Sequence, residues 1–142
     1  MLTVRDYRYF EVARAVSKTS EFKRVKIGAV VVLDKSIIAV SSNIKKSHPL
    51  QKKYNEKRFG PSFEDNCHHF QHAEFAAIAK VMHRDLSRAK IYVFREDKYK
   101  KFAICRPCIA CTELIRHVGI KDVYYTTPNG YVYEKFEERK IA

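Results

Sequence analysis

Apolar positions along the chain change their period several times, and each change marks an element. Thr3 and Asp6 stand at capping-box spacing, with aspartate in the third position, and Val4, Phe10, Val12, Ala13 and Val16 then recur at helical intervals. The pattern predicts a first helix over about residues 3–18. From Val25 to Leu33 the chain is nearly continuous β-branched and small apolar residues, and after Asp34-Lys35 a second run, Ile37-Ile38-Ala39-Val40, continues. These predict a hairpin of two strands. A polar, basic stretch of roughly 28 residues follows, and as a loop of that length it reads as functional or mobile. Ala73 to Met82 carries Phe75, Ala76, Ala77, Ile78, Ala79 and Val81 around most of a helical wheel, the mark of a helix buried on several sides. Lys90 to Phe94 reads as a strand. After a second polar stretch, Pro107 suits a first helical turn, and Ile109, Leu114, Ile115 and Val118 mark a helix stopped by Gly119. Asp122 to Thr126 and Tyr131 to Phe136 are two further strand candidates.

The order is α-β-β-α-β-α-β with a final strand or helix. Strands alternating with single helices imply an α/β fold with right-handed crossovers and a mainly parallel portion of sheet, to which the early hairpin adds an antiparallel pair. A chain of 142 residues, with 46% hydrophobic and 31% charged residues and four each of Gly and Pro, has the composition of one compact domain over residues 1–142. No internal repeat or low-complexity segment interrupts it. Long apolar runs are absent, and Met1-Leu2-Thr3-Val4-Arg5-Asp6 turns polar too soon for a signal-peptide core. The expectation is no membrane association and a cytoplasmic location.

Charge adds a partner class. A formal charge of +12 draws the chain toward polyanions or phosphorylated substrates. Six of the fourteen residues from Lys45 to Arg58 are Lys or Arg, against the single acid Glu56. That segment is either a solvated surface or a phosphate-contacting one. Cys105, Cys108 and Cys111 recur every third residue, which suits metal-binding thiolates in a reducing compartment better than disulfides.

The chemistry concentrates in His72-Ala73-Glu74 and Pro107-Cys108-Ile109-Ala110-Cys111. One imidazole and two thiolates suit a zinc ion whose fourth position stays open for water, the arrangement of a catalytic site. Glu74 is then the candidate proton carrier between water and substrate. Cys108 and Cys111 lie on one face of a helix, at its amino terminus, where the dipole favours thiolate. His72 and Glu74 would diverge in mid-helix, so the chemistry requires His72 at the helix entry. Cys105-Arg106-Pro107-Cys108 is a rival C-x-x-C, less favoured because Cys105 precedes the helix. Cys67, His68, His69 and His48 are candidates for a second metal site with Cys105, against the plainer reading of a polar loop. A closed structural zinc site, completed by Cys105 or His69, would leave the spacing of Glu74 accidental.

The H-x-E and P-C-x-x-C pair is the signature of zinc-dependent nucleobase deaminases. On these motifs, with Ile27-Gly28-Ala29-Val30-Val31-Val32 and Ser41-Ser42-Asn43 before them, the chain resembles the cytidine and deoxycytidylate deaminase superfamily over most of its length. The resemblance implies a three-layer α/β/α fold with a five-stranded mixed sheet and helices on both faces. It implies Zn²⁺ held by His72, Cys108 and Cys111, with Glu74 as proton shuttle and the Cys108 N–H supporting the developing oxyanion. It also implies substrate contacts from Asn43 and from the backbone near Ala29 and Ala73, and a homo-oligomer. The implied reaction is hydrolytic deamination of a cytosine nucleotide, dCMP to dUMP.

Two departures bear on substrate. Phe75-Ala76-Ala77 stands where deoxycytidylate deaminases usually have x-Asn-Ala, and tRNA adenosine deaminases share an apolar residue there. Conversely, those enzymes usually pass straight from the strand to Glu-Pro-Cys, whereas this chain inserts Arg95 to Ile104 before Arg106-Pro107-Cys108. For a free nucleotide, Lys26, Lys45, Lys46 and Arg106 are candidate phosphate contacts. For a nucleic acid, Tyr54, Phe59, Phe63 and Phe70, interleaved with Lys52, Lys53, Lys57 and Arg58, are candidate stacking positions beside a phosphate track. The free nucleotide is the favoured reading. A non-catalytic binding module that keeps zinc for stability is the third, and no motif is damaged in its favour.

Overall fold

The computed structural model describes residues 2–47, 49–59 and 70–137. Helix α1 (Val4–Ser17) begins with the expected capping box. Thr3 Oγ1 accepts from the Asp6 N–H at 3.1 Å, and Asp6 Oδ2 accepts from the Thr3 N–H at 2.8 Å. Its buried line is Asp6, Tyr9, Phe10, Ala13 and Ser17, rotated from the purely apolar set, so that Val4 is exposed. Buried Asp6 tolerates this position because its other oxygen accepts the Tyr92 hydroxyl.

Strands β1 (Ile27–Leu33) and β2 (Ser36–Ser42) form the predicted hairpin. Both turn residues, Asp34 and Lys35, have positive φ (50° and 68°), the backbone that matches the twist of flanking strands. Tyr9 from α1 donates its hydroxyl to the Lys35 carbonyl at 2.8 Å and pins the turn. After helix α3 (Ala73–Ala79) come β5 (Lys90–Arg95), α4 (Ile109–His117), β6 (Asp122–Thr127) and β7 (Gly130–Lys135). The last candidate is a strand. Gly119, at φ 91°, ends α4 as expected, and the Ile120 N–H reaches back to the Ile115 carbonyl.

The five-stranded sheet has the order β2-β1-β5-β6-β7 and is mixed. The expected mainly parallel portion shrinks to one pair, β5 with β6. Strands β2 and β5 do run the same way, as a crossover through α3 requires, but β1 lies between them and pairs antiparallel with both. Continuous hydrophobicity in β1 reflects cover on both faces. Val30 and Val32 pack with α1, Tyr92, Phe94 and Tyr124, while Ala29, Val31 and Leu33 pack with α3, α4, Ile91, Val93 and Val123. This is a three-layer α/β/α fold. No helix among the described residues is long and apolar enough to cross a membrane.

The long basic stretch is not a plain loop. It holds β3 (Ile44–Ser47), helix α2 (Pro49–Phe59) and β4 (Phe70–Gln71), with β3 and β4 paired antiparallel. Hydrophobic periodicity could not reveal α2, because its inward side chains include Gln51 and Asn55, fully or nearly fully buried, beside Tyr54. Gln51 Nε2 donates to Asn55 Oδ1 at 2.8 Å, one helical turn away, which satisfies two polar groups that burial would otherwise penalise. His48, Phe63, Cys67, His68 and His69 and the side chain of Phe59 lie outside the described residues.

Gly28 fixes the seam between α1 and the sheet. A Cβ there would collide with the Ala13 carbonyl oxygen and the Ser17 nitrogen, both main-chain atoms that no rotamer change can move. Gly28→Ala is therefore expected to cost about 1–3 kcal/mol of stability, read as a lower midpoint in urea unfolding. An unchanged midpoint would mean that α1 does not lie on this residue.

Candidate active site

The amino-terminal ends of two helices, α3 and α4, come together on one face of the sheet. His72 is the N-cap of α3, with extended backbone (φ −68°, ψ 155°), and its side chain makes no capping bond. The imidazole turns instead toward α4, as the divergence of His72 and Glu74 in mid-helix demands. Cys108 is the N-cap of α4, equally extended and equally uncapped, with Cys111 in the first turn. Pro107 thus precedes the cap instead of opening the helix, and its carbonyl accepts the Thr112 hydroxyl at 3.2 Å.

His72 Nδ1 lies 3.2 Å from Cys111 Sγ and 3.6 Å from Cys108 Sγ, and the three donor atoms all fall within 4.8 Å of one another. Zinc–nitrogen and zinc–sulfur bonds at tetrahedral angles give donor separations of roughly 3.5 to 3.8 Å. The set fits a zinc ion. Its electrostatics fit as well. The Cys111 hydrogen bond, opposed by burial and assisted by His72, holds the Cys108 thiol down at about 3, while burial keeps Cys111 well above its ordinary value. Metal binding would release that remaining proton. The helix dipole adds to the preference for thiolate at both positions.

Cys105 is placed otherwise. Its Sγ contacts the Val93 carbonyl at 3.1 Å and Thr126 Oγ1 at 3.0 Å, and burial pushes its thiol up to about 12. The rival Cys105–Cys108 register is not the one that converges on His72. Among the described residues the three-donor set is His72, Cys108 and Cys111.

Glu74 is buried in the first turn of α3, and desolvation raises its pKa against the opposing attraction of His72. It lines a cavity of about 480 Å³ together with His72 and Cys108. Phe22 and Phe70, edge to face with ring centres 5.3 Å apart, form an aromatic part of the wall.

The expected substrate contacts separate on inspection. Asn43 lines the cavity, yet its Oδ1 accepts from Ser20 Oγ and the Ile27 N–H, and its Nδ2 donates to the Val25 carbonyl at 2.7 Å. Most of its hydrogen-bonding capacity holds the 20–27 segment against the end of β2. Ala29 and Ala73 are fully buried in the core and are not part of the cavity wall. Lys26 Nζ donates to the Ser20 carbonyl at 3.2 Å, and Lys26 is not among the residues that line the cavity. Arg106 reaches the cavity but is clamped by Glu134 through two bonds of 2.9 and 2.8 Å. Lys45 sits over the Phe22 ring, 5.8 Å from its centre, and Lys46 offers its carbonyl to Gln71.

Three contributors escape a reading of the sequence. Gln51 Oε1 accepts the His72 N–H at 3.2 Å from a fully buried position and so holds the backbone of a metal-donor residue. Phe22 lies in an irregular segment with no periodic signal. Arg95 lines the cavity from the end of β5; its one sequence signal is a cation in phase with Ile91 and Val93 on an otherwise apolar face.

Residues 3–127 match the cytidine and deoxycytidylate deaminase zinc-binding region. Among solved structures, the apo form of dCMP deaminase from the cyanophage S-TIM5 is 27% identical over 88% of this chain and 84% of that one, with a TM-score of 0.58. Cytidine deaminase from Burkholderia pseudomallei is 17% identical over 94% of this chain and 93% of that one, with a TM-score of 0.64. A structure from work on A-to-I editing by tRNA:A34 deaminases at the wobble position of transfer RNA is 22% identical over 86% of this chain and 76% of that one, with a TM-score of 0.50. At these identities the last two share the fold. No curated protein sequence matches the chain.

Metal analysis separates the three cysteines. Cys108→Ser and Cys111→Ser are each expected to lower zinc affinity by more than the roughly ten-fold that loss of a ligand's own hydrogen-bond partner costs, whereas Cys105→Ala is expected to keep the wild-type stoichiometry. Loss of zinc from the Cys105 variant, with zinc kept by either of the others, would reverse this assignment.

Proposed function

The chain belongs to the cytidine and deoxycytidylate deaminase family and is a zinc-dependent deaminase, and we propose that within this family it converts dCMP to dUMP with release of ammonia. The observation that carries the reading is a buried acid beside a zinc-competent donor set in a cavity of about 480 Å³, within the usual range for small-molecule sites. The S-TIM5 dCMP deaminase, at 27% identity, supports the nucleotide.

His72, Cys108 and Cys111 hold the ion. Zinc supplies Lewis acidity that makes water a competent nucleophile near neutral pH. Glu74 then moves the protons. It accepts one from the attacking water, delivers one to N3 of the ring, and brings the next to the exocyclic amine. The bond from water oxygen to C4 forms, the C4–N bond breaks, and cytosine plus water becomes uracil plus ammonia. A carboxyl desolvated enough to sit above its usual range is suited to carrying a proton through these steps.

Two of the four aromatics proposed for nucleic-acid stacking are turned away from the exposed lysines beside them. Tyr54 is buried edge to face on Phe75, and Phe70 turns toward Phe22 in the cavity wall, while Lys52 and Lys53 are exposed. The described aromatics therefore do not alternate with the lysines along one accessible track, as stacking on successive unpaired bases requires.

Product analysis by mass spectrometry tests the proposal, using zinc-loaded protein with dCMP, deoxycytidine, single-stranded oligonucleotides and tRNA. Conversion of dCMP to dUMP is expected, and Glu74→Gln should keep zinc while losing at least about 10²–10⁴-fold in turnover. Conversion confined to polynucleotides would replace dCMP as substrate. Near-normal turnover by Glu74→Gln would remove Glu74 from the chemistry.

A further inference from the structure

Arg95 is the last residue of β5, and its main chain is held firmly. Its N–H donates to Thr126 Oγ1, and its carbonyl accepts from the same hydroxyl, both at 3.2 Å. It pairs with Ile27 of β1, two residues beyond the Val93–Ala29 pair. Strand alternation puts its side chain on the face of Ile91 and Val93, which is the face of the metal-donor set. There the side chain lines the cavity with Ile27, Glu74 and Cys108. Two residues of strand place it about 7 Å further along the floor than Val93.

Among the described residues the buried Nε of Arg95 has no hydrogen-bond partner, and no carboxylate forms an ion pair with the side chain. The Nε atoms of Arg14 and Arg116 also lack a hydrogen-bond partner, but neither residue lines this cavity. Of the other cations near the cavity, Arg106 is ion-paired with Glu134, Lys26 donates to the Ser20 carbonyl and Lys45 lies over the Phe22 ring. A buried guanidinium donor with no acceptor is costly. An incoming anion with two or three oxygens would satisfy it in the bidentate geometry that guanidinium favours.

We propose that Arg95 is the phosphate-recognition residue of the substrate cavity, taking the 5′-phosphate of a deoxycytidine mononucleotide and so selecting the nucleotide over the nucleoside. This inference rests on the dCMP reading above and assigns to Arg95 the task that the sequence suggested for Lys26, Lys45, Lys46 or Arg106.

The test compares dCMP with deoxycytidine for the wild type, Arg95→Gln and Arg95→Lys, all zinc-loaded. Arg95→Gln is expected to raise KM for dCMP roughly ten- to a hundred-fold, the scale of a lost charged hydrogen bond. Any loss on deoxycytidine should be far smaller than the loss on dCMP, and inhibition by dUMP should weaken in step with the rise in KM. Arg95→Lys should recover part of the preference, since it keeps the charge and loses the fork. If the wild type prefers dCMP and Arg95→Gln leaves that preference intact, the contact is overturned and the substrate stands. Equal losses on both substrates would make Arg95 a structural residue and overturn the contact too. If the wild type shows no preference for dCMP, the substrate reading fails first and this inference falls with it.

Discussion

The constraint on which the rest of the structure depends is the meeting of three soft donors from two helix entries. His72 and Cys111 are 39 residues apart, yet their donor atoms lie 3.2 Å from one another. Such an approach needs α3 and α4 to begin at the same height above the sheet. Strands β2 and β5, each antiparallel to β1, provide this: they run the same way, so the helices that follow them begin at the same end of the sheet. Gly28 lets α1 close against the opposite face, and the buried β1 strand transmits that packing to the floor of the cavity. The α/β/α layering thus serves to hold two N-caps at one end of the same face.

Much of this was legible in the sequence. The capping box at Thr3 and Asp6, the Asp34-Lys35 hairpin, the Gly119 stop and both zinc motifs depend on local chemistry that a short window contains. The sheet order did not, because strand neighbours are chosen by packing across the whole layer, and β1 inserts between two strands that local reasoning would pair. Helix α2 escaped for a different reason. Its buried face is built from Gln51 and Asn55, so the helix is stabilised by hydrogen bonds among polar side chains where the usual signal is apolar.

The site divides in the same way. Residues that act through their element type, a thiolate at a helix start or an imidazole at an N-cap, follow from spacing. Residues that act through long-range placement do not. Lys26 and Arg106 carry the right charge, but the Ser20 carbonyl and Glu134 occupy them, and only three-dimensional proximity reveals those partners. Asn43 shows a further limit, since one side chain touches the cavity and at the same time holds three points of the 20–27 segment and β2 together. Contact with a cavity and service to the fold are not alternatives for such a residue.

Gln51 carries a consequence of another kind. The group that grips the His72 backbone is a neutral amide, sealed from solvent and bonded at both ends, to the His72 N–H and to Asn55. An amide does not titrate over the pH range in which proteins stay folded, whereas a carboxylate or imidazole in the same place would change charge within it and would bring an extra charge close to thiolates in a medium that screens poorly. The scaffold behind the histidine is therefore electrically silent. A change of pH adds no charge at this contact with the His72 backbone.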